Sequence, residues 1–172
     1  MTIRTARLRL APALHGDLLA VGLGDDVLGG TLGVAVAPDW AGNDARDAIA
    51  RTRDRLADDP ALAQWWMHFI IHEADNTLIG LGGFKGAPEH GQVEIGYEIA
   101  PGYRLRGLAT EAARGMVDHA LADPRVDHVL AHTLPEESAS TTILRRLGLR
   151  FIQALVDPED GPIWRWRLDR AG

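Results

Sequence analysis

Apolar and polar positions alternate at both ends of this chain. In Ile3 to Leu10, Leu8 and Leu10 alternate with Arg7 and Arg9. A period of two with one charged face predicts a half-buried strand near a sheet edge, ended by Pro12. Leu14 to Leu23 reads as a short helix broken by the Gly and Asp residues that follow, and Pro38–Asp39–Trp40 as a turn. Asp44 is placed to cap a helix reaching about Asp58, with Ala45, Ala48, Ile49, Thr52 and Leu56 as its buried stripe and Pro60 as its stop. Gln64 to Glu73 and Thr77 to Phe84 flank Asp75–Asn76, a pair tolerant of positive φ, which predicts a hairpin. Gln92 to Ala100 adds a third strand, broken by Pro101–Gly102. Gly107 to about Ala122 has helical periodicity through Leu108, Ala112, Met116 and Ala120. His128 to Thr133 reads as a strand, Ser138 as the cap of a helix carrying Ile143, Leu144 and Leu147, and Gly148 as its C′ residue. Phe151 to Val156 and Ile163 to Leu168 close the chain as strands.

The order is therefore strand, two helices, three strands, helix, strand, helix, two strands. Hairpin-linked strands followed by strand–helix units predict a three-layer α/β fold, with a mixed sheet covered by helices on both faces. Its 172 residues suit a single domain, 1–172, with its own core. Cysteine is absent, which excludes disulfides, thiolate metal sites and a thiol nucleophile. Acids outnumber bases 24 to 18, so nothing offers the cationic surface a nucleic acid needs. Arg4, Arg7 and Arg9 interrupt the apolar block a signal peptide requires, and Val27 to Pro38 is too short to cross a membrane. These features lead us to expect a cytoplasmic protein with no membrane and no nucleic-acid partner.

The chemistry is concentrated in Tyr97 to Ala112, where a strand feeds a tight loop and the loop feeds a helix. The first helical turn has unpaired N–H groups and the positive end of the helix dipole, so it attracts anions. Gly107 removes a side chain where a phosphate approaches the backbone, Ala109 keeps the next position small, and Arg104 and Arg106 bring positive charge. No Gly-Lys-Ser/Thr follows and no Gly-x-Gly-x-x-Gly is present, so neither common nucleotide loop fits.

Arg104-x-x-Gly107-x-Ala109, between a strand and a helix, resembles the acetyl-coenzyme A (acetyl-CoA) pyrophosphate loop of the GNAT acetyltransferase superfamily. Thr5 to Leu10, Val93 to Ile99, Ala109 to Ala112 and Ala139 to Leu149 resemble matching segments of its ribosomal-protein N-terminal acetyltransferase branch. That resemblance implies a three-layer α/β/α fold whose mixed, mostly antiparallel central sheet splays between strands four and five, with the pantetheine arm in the gap. Backbone groups near Ile99 would bond that arm, and Arg104, Leu105, Arg106, Gly107, Leu108 and Ala109 would hold the pyrophosphate. No metal is implied. Two positions depart from the family pattern: Glu137 stands where relatives carry Asn, and Leu144 where many carry a proton-donating Tyr.

By the same resemblance, Glu94 on the fourth strand is the leading general base, with Glu98 on the same face as a rival; partial burial would raise such a carboxylate toward neutrality. His132, at the end of the fifth strand, is a second proton acceptor. Ser140, or water, would supply a proton to the leaving thiolate. Trp40 lies where this fold builds its acceptor pocket. The implied activity is transfer of an acetyl group from acetyl-CoA to a primary amine, on a small molecule or a protein N-terminus, by direct attack in a ternary complex. A non-catalytic acyl-CoA-binding sensor or regulator is the alternative. A homodimer stays open, because exposed final strands in this fold often pair between subunits.

Overall fold

The alternating segments become strands that all join one sheet. In a computed structural model describing residues 1–171, the strands are β1 (Ile3–Arg4), β2 (Leu8–Pro12), β3 (Ala35–Val36), β4 (Met67–His72), β5 (Thr77–Phe84), β6 (Gln92–Ile99), β7 (His128–Thr133), β8 (Arg150–Asp157) and β9 (Gly161–Asp169). They lie in the order β1-β2-β4-β5-β6-β7-β9-β8, with β3 pairing in parallel with the start of β5. Only β3–β5 and β6–β7 are parallel, so the sheet is mixed and mostly antiparallel. The helices are α1 (His15–Val21), α2 (Asp25–Leu32), α3 (Ala45–Asp58), α4 (Leu108–Ala122) and α5 (Ala139–Arg146). Helix α4 lays Leu108, Ala112, Met116 and Ala120 on one sheet face, and α3 packs against β4 on the other. Leu8, Leu10, Phe69, Ile70, Leu78 and Trp166 are fully buried between these layers.

Four expectations are corrected. The first strand divides at Thr5–Arg7, because the Thr5 hydroxyl accepts from the Leu8 N–H at 3.1 Å and donates to Glu111 at 2.6 Å, fixing a turn. The stretch after Leu23 is not merely broken but forms α2 and β3. Gly29 permits this, since a Cβ there would sit 2.8 Å from the Val34 carbonyl oxygen, and Gly33 ends the helix at φ 67°. Asp44 precedes α3 but its side chain caps nothing, because its backbone is already helical. Residues Pro60–Trp65 form a 3₁₀ turn, with Asp59 accepting from the Ala61 N–H at 3.0 Å, so the strand expected from Gln64 begins only at Met67.

His68 on β4 is fully buried, and its Nδ1 bonds the Trp66 carbonyl at 3.0 Å. Its Nε2 has no partner among the described residues. Burial pushes its pKa down to about 4, against the opposing pull of the Trp66 bond and with His119 nearby adding to the depression. The unfolded chain therefore takes up a proton near pH 6.5 that the native state refuses, so stability rises with pH across that window and falls as acid is added. Between pH 7 and 5 we expect a loss of about 2 kcal/mol from this group, at about 1.4 kcal/mol per pH unit. His119 is depressed by its own burial and adds to the slope in the same sense. Urea unfolding at the two pH values should show that loss in the wild type and a much flatter response in His68→Gln.

Candidate functional site

Pairing between β6 and β7 covers only Gln92–Ile95 against His128–Ala131. Beyond that point β6 runs on to Ile99 with no β7 partner, while β7 continues beside β9 alone. The sheet is thus splayed where the sequence reading placed the gap. A cavity of about 600 Å³ opens there, lined by Tyr97 to Ile99, the Tyr103–Leu105 loop, the Gly107–Thr110 helix start, and Ser140 and Arg146 of α5.

The loop below the cavity gathers unpaired backbone donors and arginines, an arrangement that suits an anion. Leu105 and Gly107 both adopt positive φ, at 61° and 74°, which turns the chain sharply into α4. None of the backbone N–H groups of Leu105, Arg106 and Gly107 donates to another backbone carbonyl among the described residues, and the first turn of α4 adds its own unpaired amides. Leu105 is fully exposed, so its backbone rather than its side chain is what the loop presents. Arg106 holds the Gly102 carbonyl at 3.0 Å and stacks over Tyr103. Arg104 folds back to donate its Nε–H to the Ile99 carbonyl at 3.0 Å. That carbonyl is therefore engaged while Arg104 stays in place, and turning the guanidinium to a phosphate frees it. A third cation, Arg7, reaches the loop from the β1–β2 turn: it donates to the Arg106 carbonyl at 3.0 Å and to Glu111 at 2.7 Å. Its part is invisible in the sequence, because only the fold brings residue 7 to residue 106.

A second cavity, of about 220 Å³, lies on the α3 side of the sheet and is lined by Asp44, Ala48, Arg51, Trp66, Gly83, Lys85 and Gly96, among others. Tyr97 and Glu98 line both cavities, so they stand at their junction. Glu98 has no hydrogen-bond or ion-pair partner among the described residues and lies against Gly42, where a Cβ would clash with it. The Tyr97 hydroxyl is buried and likewise unpartnered. Burial pushes that phenol up to about 12, and the Ser140 hydroxyl, near but outside hydrogen-bonding geometry, opposes the shift. Neither residue ranked first on sequence alone.

Glu94 and His132 are brought together, but elsewhere. Glu94 lies in the paired part of β6, opposite Leu130, and lines neither cavity. Its carboxylate pairs with Lys85 and bonds His132 Nδ1 at 2.8 Å. Burial acts to raise its pKa, yet the His132 bond and the Lys85 charge outweigh it and hold the carboxyl below its usual range. The expected upward shift is thus reversed by two partners that periodicity does not reveal. His132 Nε2 accepts from the Arg165 Nε–H at 2.9 Å. Arginine only donates, so Nε2 carries the lone pair and Nδ1 the proton, and both ring nitrogens are engaged. To act as a base, His132 would first have to lose Arg165.

Trp40 does not line either cavity. It is buried, packs on Phe69 and donates its indole N–H to Asp25 at 3.1 Å. The indole in the smaller cavity is Trp66. Ser140 lines the larger cavity from the first turn of α5, while the helix cap is Ser138, which accepts from the Thr141 N–H at 3.4 Å. Leu144 is buried and offers no proton, and Glu137 is clamped to Arg145 at 2.6 and 2.7 Å on the outside of α5. Among the described residues, no group of three or more His, Asp or Glu side chains is placed to hold a metal ion, and no helix is long and apolar enough to cross a membrane.

Comparison with known proteins bears on the family and the fold. The family model for the acetyltransferase (GNAT) domain matches residues 7–150. The chain is 27% identical over 118 residues to the uncharacterized N-acetyltransferase YjdG of Bacillus subtilis (strain 168), covering 68% of this chain and 70% of that protein. It is 28% identical over 107 residues to the uncharacterized N-acetyltransferase p20 of Bacillus licheniformis, covering 62% of this chain and 58% of that one. Among solved structures, a GNAT-family acetyltransferase from Bacillus anthracis superposes with a TM-score of 0.69 at 18% identity, covering 99% of both chains. RimL, a ribosomal L7/L12 alpha-N-protein acetyltransferase solved with coenzyme A, superposes with a TM-score of 0.70 at 15% identity over 98% of both chains.

Proposed function

The chain belongs to the GNAT acetyltransferase family, and from that premise we propose that it moves an acetyl group from acetyl-CoA to a primary amine within a ternary complex. The observation that carries the reading is the junction: Tyr97 and Glu98 line both the cavity above the anion loop and the cavity beside α3. A donor in the first and an acceptor in the second meet at those two side chains.

The residues present fit acetyl-CoA. Unpaired amides from Leu105 to Ala109, with Arg7, Arg104, Arg106 and Arg146 around them, suit a pyrophosphate. The unpaired edge of β6 beyond Ile95 suits an extended amide-bearing arm. When bound, acetyl-CoA supplies the acetyl group as a thioester: a bond forms from the amine nitrogen to the carbonyl carbon, the C–S bond breaks, and N-acetyl amine, thiol and one proton result. A primary ammonium, with a pKa of about 10, must lose its proton first. Glu98 is the carboxylate positioned to take it, directly or through water, and to pass it to solvent. Tyr97 is placed to donate its hydroxyl hydrogen bond to the departing sulfur, with Ser140 beside it. Glu94, His132, Lys85 and Arg165 form a strut that fixes the closed end of the splayed strands.

A protein N-terminus as acceptor is the second reading, supported by the fold shared with RimL. The homodimer reading rests on the edge strand β8, where Phe151, Ile152 and Val156 are exposed. With no cysteine and no other activated nucleophile, the protein should not become acylated. Initial-rate kinetics should give intersecting double-reciprocal lines, and intact mass after acetyl-CoA alone should be unchanged. Parallel lines with a stoichiometric acetyl adduct would overturn direct attack.

A further inference from the structure

The charges around the smaller cavity narrow the acceptor. Four charged side chains line it: Asp44, Arg51, Lys85 and Glu98. Both cations are already taken, Arg51 by Glu159 at 2.8 Å and Lys85 by Glu94. Neither acid has an ion-pair or hydrogen-bond partner among the described residues. The uncompensated charge is therefore negative, and it is confined to Asp44 and Glu98.

The rest of the lining is chiefly apolar or bare backbone. Gly83 and Gly96 face each other across β5 and β6, so the floor there carries no side chains. A Cβ built on Gly96 meets nothing within 4 Å. Trp66 and Phe84 border the space, and Trp66 is the one tryptophan with no aromatic neighbour among the described residues. At about 220 Å³ the cavity is smaller than the ~300–1,000 Å³ usual for small-molecule sites.

This combination excludes several amine classes. A free amino acid needs a cation for its carboxylate, and both cations are paired. A polyamine or aminoglycoside needs acids spread along its length, and the unpaired acids are only two. What fits is a single positive charge on a flat apolar body. Building on the acetyl-transfer function proposed above, we infer that the acceptor is an arylalkylamine, a primary monoamine carried on an aromatic ring. Its ammonium sits at Glu98 and Asp44, and its ring lies on the Gly83–Gly96 floor beside Trp66.

The test compares 2-phenylethylamine, n-butylamine, spermidine, phenylalanine and an alanine-initiated tetrapeptide at saturating acetyl-CoA. Burying a ring is worth about 2 kcal/mol, so kcat/KM for 2-phenylethylamine should exceed that for n-butylamine, spermidine and the tetrapeptide by about 30-fold. Phenylalanine carries the same ring and should fall behind because its carboxylate finds both cations paired and meets Glu98 and Asp44. Gly96→Val fills the floor without a backbone conflict. It should cut kcat/KM for 2-phenylethylamine by about 100-fold, since an obstructed near-attack geometry costs that much. If Gly96→Val does not fold, Gly96→Ala should show the same change in smaller measure. A preference for spermidine, phenylalanine or the peptide, or unaltered 2-phenylethylamine kinetics in a folded Gly96 variant, overturns the assignment. Acetyl-CoA binding with a different probe turned over leaves acetyl transfer standing and removes only the arylalkylamine. Binding with no probe turned over also removes the arylalkylamine, whereas no acetyl-CoA binding removes both.

Discussion

Gly107→Glu is expected to abolish acetyl-CoA binding, with a loss of at least about 10²-fold from placing a carboxylate against a pyrophosphate in a partly desolvated loop. Gly107 begins α4 at φ 74°, beside amides that have no protein acceptor. A Cβ there would lie 3.6 Å from Arg7 Nη2, so a carboxylate would engage one of the loop's cations as well as repel an anion. Positive φ also strains any L-residue by about 1 kcal/mol, so the variant should melt slightly earlier than the wild type. Gly107→Ala separates the two effects: it carries the same strain without the charge, and should retain measurable affinity. Calorimetric titration alongside thermal melting checks both. A folded Gly107→Glu protein that binds acetyl-CoA as well as the wild type would remove the loop from the site.

Glu98→Gln should lower kcat by about 10²-fold at neutral pH, the usual share of a general base, with little change in acetyl-CoA affinity. The amide keeps the shape of the side chain and removes its capacity to take a proton. At high pH the acceptor deprotonates without help, so the deficit should shrink. Glu94→Gln is the necessary companion. It removes the charge that holds Lys85 and weakens the bond accepted from His132, so a smaller kcat effect accompanied by lower stability is expected. Should Glu94→Gln lose activity and Glu98→Gln keep it, the base is Glu94 and the strut is part of the chemistry.

The contrast between these two glutamates shows where sequence reading runs out. Strand periodicity puts Glu94 and Glu98 on one face of β6, and it does so correctly. Which of them reaches the cleft depends on where β7 parts from β6. Pairing ends at Ile95 and Ala131, a register set by the contacts of β7 with β9, far along the chain. The same limit applies to the tryptophans. Trp40 and Trp66 are both aromatic residues near α3, but only the tertiary packing shows Trp40 bonded to Asp25 in the core and Trp66 at the cavity.

Local signals fared better. Ser138 caps α5, and Gly148 takes the positive φ, 91°, that a C′ glycine permits. Thr77–Phe84 and His128–Thr133 have the boundaries their composition implies. The turn from Arg104 into α4 was legible as a strand–loop–helix junction because Gly107 takes the positive φ that such a turn requires. Helix α2 was not, because its two internal glycines lower helix propensity, and a close approach to β3 decides the matter instead.

Acetyl transfer itself is tested most directly by incubating the protein with acetyl-CoA and a primary amine, then measuring acetylated amine by mass spectrometry and free thiol in the same sample. We expect the two products in equal amounts, formed well above the rate in buffer and lost in Glu98→Gln at neutral pH. Tight binding of acetyl-CoA with thiol release no faster than buffer hydrolysis for every amine would contradict it, and would make the chain an acyl-CoA-binding protein rather than an enzyme.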